Sequence, residues 1–200
     1  MIVSRAPFRF SLGGGGTDLP AYYREHGGFV VSAAIDSYMY VTANPRFYPS
    51  IRLAYSETEI VDDVAHIRHP IFREALKMAG IDSSIELTSV ADLPSNSGLG
   101  SSSSFTVALL NALYTYKREF VSSERLAREA CELEMQRLGE PVGKQDQYIA
   151  AFGNVTALNI DRDGRVDVAP VPVRGEVLDE LQNSLLVMYS GVERPAKLVL

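Results

Sequence analysis

The pattern of hydrophobic and polar positions divides the chain into short segments of two kinds. Segments rich in β-branched and aromatic residues predict strands, and longer segments bounded by Pro, Gly or Ser predict helices. Strands are predicted at 1–12, 29–35, 37–45, 84–90, 154–160, 165–171 and 184–191. A glycine-bounded loop with a short helix is predicted within 13–28, and helices at 69–80, 102–117, 122–138, 142–153 and 176–182. Asp163-Gly164 predicts a hairpin between the two strands that flank it.

A glycine- and serine-rich stretch leads directly into an apolar segment. Residues 92–105 read DLPSNSGLGSSSSF, and TVALLNALYTY follows from Thr106. A helix start presents four unpaired N–H groups and a partial positive charge, and glycines let the backbone close around an anion there. The stretch therefore predicts a phosphate cradle, distinct from the common P-loop because no Lys follows the second glycine. A serine-rich helix cap after a tight turn explains the same residues, so both interpretations stand.

Two carboxylates stand out further along the chain. Glu134 falls within the apolar arc of the helix predicted at 122–138, where it would be desolvated unless it meets a cation or a donor. It is either an Arg partner or, beside a phosphate loop, a Mg²⁺ ligand. Asp146, in GKQDQY, is either the cap of the following helix or a group that orients and deprotonates a substrate hydroxyl.

Composition narrows the class of protein. The chain has 200 residues, 46% hydrophobic, with a net charge of −6 and no basic run, which argues against a large nucleic-acid interface. Its single cysteine, Cys131, precludes an intrachain disulfide and fits a reducing compartment. The N-terminal residues do not form a signal peptide, and no segment has the length of a membrane span. We therefore expect a cytoplasmic protein with no nucleic-acid or membrane partner.

Taken together, these motifs resemble those of the GHMP kinase family, named for galactokinase, homoserine kinase, mevalonate kinase and phosphomevalonate kinase. APFRFSLGGGGTDLP is similar to the family's first, substrate-side motif, and LPSNSGLGSSSS to its second, the phosphate loop. The third, glycine-rich motif is absent and would lie beyond residue 200. The resemblance implies an α+β fold: a two-layer, ribosomal-protein-like domain with a left-handed β-α-β unit. It places this N-terminal domain at 1–174 and the start of a truncated C-terminal α+β domain at 175–200, although a genuine chain end after the last strand is the alternative.

The resemblance also implies roles for residues at the matching positions. The ATP phosphates would be held by Pro94, Asn96, Ser97, Gly98, Leu99, Gly100, Ser101, Ser102 and Ser103. Ser102 and Glu134 match magnesium ligands, and Asp146 with Arg9 matches the catalytic aspartate and its partner arginine. Substrate contacts are implied for Gly15, Gly16, Thr17 and Asp18. Charge alone suggests that Lys144 and Arg194 bind a substrate phosphate.

Within the family, the first motif is most similar to that of kinases that phosphorylate D-glycero-D-manno-heptose 7-phosphate at its anomeric hydroxyl. Gly15 and Gly16 replace the Glu-His pair of galactokinases, which leaves room for a bulkier or phosphorylated sugar. The expected cofactors are ATP and Mg²⁺, the expected partner is a small-molecule sugar phosphate, and a homodimer is allowed. The implied role is in making a nucleotide-activated heptose. The alternatives are a free-sugar 1-kinase of the L-fucokinase type, a non-catalytic regulator that binds ATP and sugar, and an inactive fragment.

Overall fold

The computed structural model describes residues 1–95, 97–186 and 188, which form seven strands and six α-helices. The strands are β1 Ile2–Gly13, β2 Gly28–Pro45, β3 Ile51–Ala54, β4 Thr58–Val61, β5 Ile85–Ala91, β6 Val155–Ile160 and β7 Val166–Pro170. The α-helices are α1 Pro20–His26, α2 Pro70–Ala79, α3 Ser101–Tyr116, α4 Ser123–Cys131, α5 Gln145–Phe152 and α6 Gly175–Ser184. A 3₁₀ turn, Val64–His66, precedes α2, and a π-helical segment, Glu132–Arg137, continues α4.

The long strand β2 organises a single sheet. Along one side it pairs antiparallel with β1, and along the other its two halves pair with β6 and β5. The strand order is β4-β3-β5-β2-β6-β7, with β1 on the remaining side of β2. All neighbours are antiparallel except β3 and β5, which the chain connects through β4 and α2. The β1–β2 register shifts between Pro7 and Arg9, and the Arg9 backbone N–H donates to Leu99 O (3.1 Å) in the predicted phosphate loop.

The helices cover one face of the sheet. Strand residues that alternate toward this face are fully buried, including Val41, Leu53 and Leu87. At alternate positions the side chains face outward, and Val3 and Phe29 are more than half exposed, at 59% and 55%. Helix α3 packs against the sheet on one side and against α2, α4 and α5 on its others, which explains why TVALLNALYTY is apolar on nearly every side.

Local sequence signals account for where several elements begin and end. Pro70 opens α2, where its missing N–H costs no hydrogen bond, and Gly80 ends it in the left-handed conformation with φ 65°. The Ser122 hydroxyl accepts a hydrogen bond from the Arg125 N–H and so caps α4. The predicted hairpin at Asp163-Gly164 joins β6 to β7.

Two sequence predictions differ from the structure, one element was not predicted, and one prediction lies only partly within the described residues. The strands predicted at 29–35 and 37–45 form one continuous strand, because the pairing with β1 absorbs an irregularity instead of breaking. The hairpin of β3 and β4 was not predicted, since four-residue strands show too little periodicity. The helix predicted at 122–138 changes to π-helix at Glu132. Half of the strand predicted at 184–191 falls outside the described residues, and Ser184 ends α6.

The α+β class and the arrangement of one sheet beneath one helical layer are confirmed. The handedness of the β3-to-β5 crossover and the domain boundary at residue 174 stay predictions. Within the described ranges, no helix combines the length and apolar character needed to cross a membrane.

Candidate functional site

The start of α3 is an open helix terminus. Gly100 occupies the cap position with φ 79°, and no side chain caps the helix. Gly98 also has a positive φ, 78°, so two glycines turn the chain sharply into the helix. The serine-capped helix considered from the sequence is therefore not what forms. The first-turn amides remain available to an anion, as the phosphate-cradle interpretation requires.

A cavity of about 260 Å³ lies in front of this terminus. It is lined by residues from the predicted phosphate loop, the first motif and the start of α5: Arg9, Gly16, Asp18, Leu19, Gly98, Gly100, Ser101, Ser102, Ser103, Val142, Gly143, Gln145 and Asp146. The three segments that the sequence singled out separately thus meet in one place.

Asp146 forms a two-point ion pair with Arg9 at this cavity. Arg9 Nε donates to Asp146 Oδ1 at 2.6 Å and Nη2 donates to Oδ2 at 3.0 Å, a charge-assisted, bidentate arrangement. Arg9 Nη1 also donates to Gly98 O at 3.0 Å, which ties the pair to the loop. Asp146 lies in the first turn of α5, but it does not cap the helix, whose cap position is Lys144. Gly100 packs against the pair, since an added Cβ there would lie 3.2 Å from Asp146 Oδ2.

Glu134 is buried, at 1% exposure, in the π-helical segment. Its carboxylate accepts hydrogen bonds from the hydroxyls of Ser102 (3.1 Å), Ser103 (2.7 Å) and Thr106 (2.7 Å) and from the amide of Gln147. Burial raises the pKa of the Glu134 carboxyl, while these four donors act in the opposite direction. None of the described residues gives it an Arg partner, so that alternative is not realised.

The oxygen donors around Glu134 are of the kind that bind a hard cation such as Mg²⁺. Ser102 is exposed at the cavity, and its hydroxyl contacts the Glu134 carboxylate, so oxygen donors connect the buried acid to the phosphate-facing terminus. Mg²⁺ commonly takes one or two protein oxygens and completes its shell with phosphate oxygens and water. The part of the chain that is described contains no group of three or more His, Cys, Asp or Glu residues that could hold a metal ion without such help.

Asp18 joins the first motif to α5. It is 1% exposed, and its Oδ2 accepts the Gln145 backbone N–H at 3.0 Å. Its Oδ1 accepts the Gly16 N–H at 3.2 Å and the Gln145 amide at 3.4 Å. Asp18 therefore supplies from a distant segment the cap that the helix lacks locally. Thr17 supports the loop by donating to Gly14 O (2.7 Å) and accepting from the Phe29 N–H (3.0 Å).

The structure places some predicted site residues elsewhere. Lys144 does not line the cavity, because its ammonium donates to Gly164 O and lies 5.2 Å from the Tyr23 ring centroid. Leu99 lines a separate apolar cleft against α6. Pro94, Gly15, Thr17 and Ser97 are not among the lining residues. Asn96 and Arg194 lie outside the described residues.

A second cavity, of about 480 Å³, was not predicted. It shares Ser101 and Ser102 with the first cavity and is otherwise lined largely by apolar and aromatic side chains: Met39, Tyr55, His69, Ile71, Val90, Leu93 and Phe105 among them. Its walls come from five distant segments, so no local sequence motif could have revealed it. Gln147, a partner of Glu134, was also missed, although its place directly after Asp146 was a usable signal.

Comparisons with known proteins show what the chain is similar to. Residues 64–154 match the family model described as "GHMP kinases N terminal domain". The chain is 29% identical over 208 residues to the D-glycero-alpha-D-manno-heptose 7-phosphate kinase of Campylobacter jejuni, covering 98% of this chain and 61% of that protein. It is 28% identical over 212 residues to the galactokinase of Pyrococcus furiosus, covering 96% of this chain and 54% of the galactokinase.

Solved structures show the same fold. A crystal structure of a D-glycero-D-manno-heptose 1-phosphate kinase from Bacteroides thetaiotaomicron superposes with a TM-score of 0.84 at 28% identity, covering 92% of this chain and 64% of that one. A putative sugar kinase from Campylobacter jejuni gives 0.75 at 27% identity, covering 90% of this chain and 58% of that one. This chain thus spans about six tenths of the heptose kinases that it matches.

Proposed function

We propose that this chain, which carries a GHMP kinase N-terminal domain, supplies the phosphate-binding and acceptor-binding machinery of an ATP-dependent sugar kinase. One observation carries the proposal: the uncapped terminus of α3 opens into the cavity where Arg9 holds Asp146. An anion-binding helix start beside a carboxylate that can engage a hydroxyl is what phosphoryl transfer requires, since the protein contributes mainly positioning and charge neutralisation.

The two cavities support separate binding sites for the nucleotide and for the acceptor sugar. The larger one, lined mainly by apolar and aromatic side chains, suits a nucleoside, and the smaller one, which contains Arg9, Asp18 and Asp146, suits a sugar. They meet at Ser101 and Ser102, so phosphates bridging the two would lie on the first-turn amides of α3. ATP bound in this way would present its γ-phosphate toward Asp146.

In this mechanism Asp146 orients the acceptor hydroxyl and accepts its proton, early or late in the transfer. Arg9 keeps the carboxylate in place and offsets the charge that develops near the transferred group. Ser102 and Glu134 would hold Mg²⁺, which when bound neutralises phosphate charge. The buried hydroxyls around Glu134 keep its carboxylate aimed at Ser102.

As acceptor we propose D-glycero-D-manno-heptose 7-phosphate, phosphorylated at the anomeric hydroxyl to the 1,7-bisphosphate. The names of the two heptose kinases to which the chain is similar support the heptose. Those names differ in the phosphate that they specify, so the position of transfer needs its own test. An ATP-dependent reaction on a soluble sugar phosphate and the buried free thiol of Cys131 both fit the cytoplasm.

A free-sugar 1-kinase of the L-fucokinase type is the second candidate. The chain is 26% identical over 217 residues to the bifunctional fucokinase/GDP-fucose pyrophosphorylase of Arabidopsis thaliana, covering 97% of this chain and 20% of that protein. The same cavity could hold a deoxyhexose, with Asp146 acting on its anomeric hydroxyl.

ADP release with MgATP tests these proposals. The acceptors are heptose 7-phosphate, sedoheptulose 7-phosphate, mannose 6-phosphate, L-fucose, galactose and no sugar, and phosphorus NMR locates the new phosphate. Release with only the heptose 7-phosphate, and an anomeric phosphate in the product, supports the first proposal. A preference for L-fucose moves the protein to the second. Intact ATP binding without release for any acceptor, in the complete gene product, would contradict both and favour a non-catalytic regulator.

A further inference from the structure

The side chain of Lys144 points away from the cavity that its neighbours line. Gly143, Gln145 and Asp146 all face the 260 Å³ cavity, whereas Lys144 lines a different one, of about 1090 Å³, between α1, α4, α5 and the β6–β7 hairpin. Its ammonium donates to the Gly164 carbonyl and lies over the ring of Tyr23, 5.2 Å from the centroid. A single lysine thus connects the start of α5 to α1 and to the β6–β7 turn.

The partners of this ammonium are neutral. The described residues give Lys144 no carboxylate, so a carbonyl dipole and an aromatic face hold it. The carbonyl is presented by a tight turn in which the Gly164 N–H donates to Asp161 O at 2.9 Å. Gly164 has φ +81°, and a Cβ there would lie 3.0 Å from the ammonium and 3.1 Å from the Tyr23 ring. A side chain at residue 164 would therefore press against both Lys144 and Tyr23 and strain the turn.

Four consecutive residues are held by three different parts of the fold. Gly143 packs against the Asp18 carboxylate, and Gln145 donates to it. Lys144 bonds the hairpin turn on the opposite side, and Asp146 is clamped by Arg9. These contacts on both sides of the segment fix the direction in which α5 starts, and hence the position of the Asp146 carboxylate.

We propose that Lys144 is a positioning residue: by bridging Gly164 and Tyr23 it holds the start of α5 so that Asp146 faces Arg9 and the head of α3. The inference rests on the proposed kinase function for its effect on turnover. It replaces the expectation, drawn from charge alone, that Lys144 binds a substrate phosphate. The two roles make opposite kinetic predictions, because a phosphate ligand sets acceptor affinity whereas a positioning residue sets the geometry of transfer.

The test compares Lys144→Met, which keeps the length and apolar stem but removes the ammonium, with Lys144→Arg and with Gly164→Ala. Lys77→Met, an exposed lysine on α2, is the matched control. Each variant of the complete gene product is assayed for kcat and KM with phosphorylated and unphosphorylated acceptors, for MgATP binding, and for amide hydrogen exchange of residues 144–148.

Lys144→Met should lower kcat about 10- to 100-fold, the cost of an active group displaced by up to about 1 Å. Acceptor KM and MgATP affinity should change little, and exchange at residues 144–148 should accelerate. Gly164→Ala should act in the same direction, because the added Cβ crowds the ammonium, and the double variant should be less than additive, because both changes act on the Lys144–Gly164 contact. Lys144→Arg should restore part of the loss in kcat.

A raised KM for phosphorylated acceptors alone, with kcat retained, would overturn the proposal in favour of a substrate ligand. Exchange and kcat equal to those of Lys77→Met would overturn it outright. If the wild-type protein turns over no acceptor, the proposed function fails. The exchange comparison then still decides whether Lys144 holds the start of α5.

Discussion

Replacing Gly143 by Ala tests whether the close contact between the first motif and α5 sets the geometry of the site. A methyl group at residue 143 would place its carbon 1.9 Å from Asp18 Oδ2 and 2.4 Å from Asp18 Cγ. Such atoms are ordinarily in contact at about 3.5 Å, so residue 143 and Asp18 must separate by roughly 1.5 Å. Asp18 cannot swing into solvent to relieve the clash, because it is 1% exposed and hydrogen-bonded at both oxygens.

The separation has two measurable consequences. Overpacking of this kind costs about 1–3 kcal/mol, which for a chain of this size lowers the melting temperature by about 2–4 °C per kcal/mol. A displacement of this size at the start of α5 also moves Asp146, and misplacement by about 1 Å can cost about 100-fold in rate. We therefore expect kcat for ADP release to fall by about two orders of magnitude.

The control is Gly175→Ala, since a Cβ at Gly175 would meet nothing within 4 Å. Thermal unfolding, MgATP binding and kcat are measured for both variants and for Asp18→Ala with and without Gly143→Ala. If the clash is the cause, adding Gly143→Ala to Asp18→Ala should destabilise the protein no further. A Gly143→Ala protein with the melting temperature and kcat of Gly175→Ala would refute the reasoning.

Three further predictions concern single side chains. Asp146→Asn should abolish turnover while leaving MgATP binding measured by calorimetry largely intact, and near-normal turnover would remove Asp146 from the mechanism. Glu134→Gln keeps the shape of the buried site but removes its charge, so the Mg²⁺ concentration giving half-maximal activity should rise more than the acceptor KM, and an unchanged Mg²⁺ titration would count against a metal role. Burial and the hydrogen bond to Glu129 raise the pKa of Tyr114 to about 12 from 10.0. Its contribution to stability is thus fully present below pH 10 and lost as pH rises toward 12, and urea unfolding of Tyr114→Phe should show a smaller loss of stability across that window.

The parts of the fold that sequence predicted are those with local causes. Helix α2 follows from Pro70 at its start and Gly80 at its end, and the β6–β7 hairpin from Asp163-Gly164. The merging of two predicted strands into β2 has no such cause. It depends on β1, which pairs with β2 from Val31 to Ala43 and carries the strand across Asp36. Pairing energy from a neighbouring strand overrides a local break that the sequence shows.

In the candidate site, too, sequence predicted the features with local causes and did not predict the contacts with distant segments. The glycines and serines at the head of α3 could be interpreted alone, because a helix terminus and its cap are local features. Glu134 was found as a buried charge in an apolar arc, but the Ser103, Thr106 and Gln147 groups that satisfy it come from two other helices. Periodicity identifies a side chain that needs partners and does not identify the partners.

The segment Gly143–Asp146 shows why charge alone does not predict the direction in which a side chain points. Lys144 stands in sequence between residues that line the cavity, and a lysine there suggests an anion ligand. In the structure, Asp18 occupies the cavity side of this segment and leaves no space for a side chain at residue 143. Since Gln145 and Asp146 also face the cavity, Lys144 is the residue whose side chain points to the opposite side, where Gly164 and Tyr23 receive it. The direction of a side chain at a helix start is set by the contacts of its neighbours, and here those neighbours, Gly143 and Asp146, are fixed by Asp18 and Arg9 from the opposite end of the sequence.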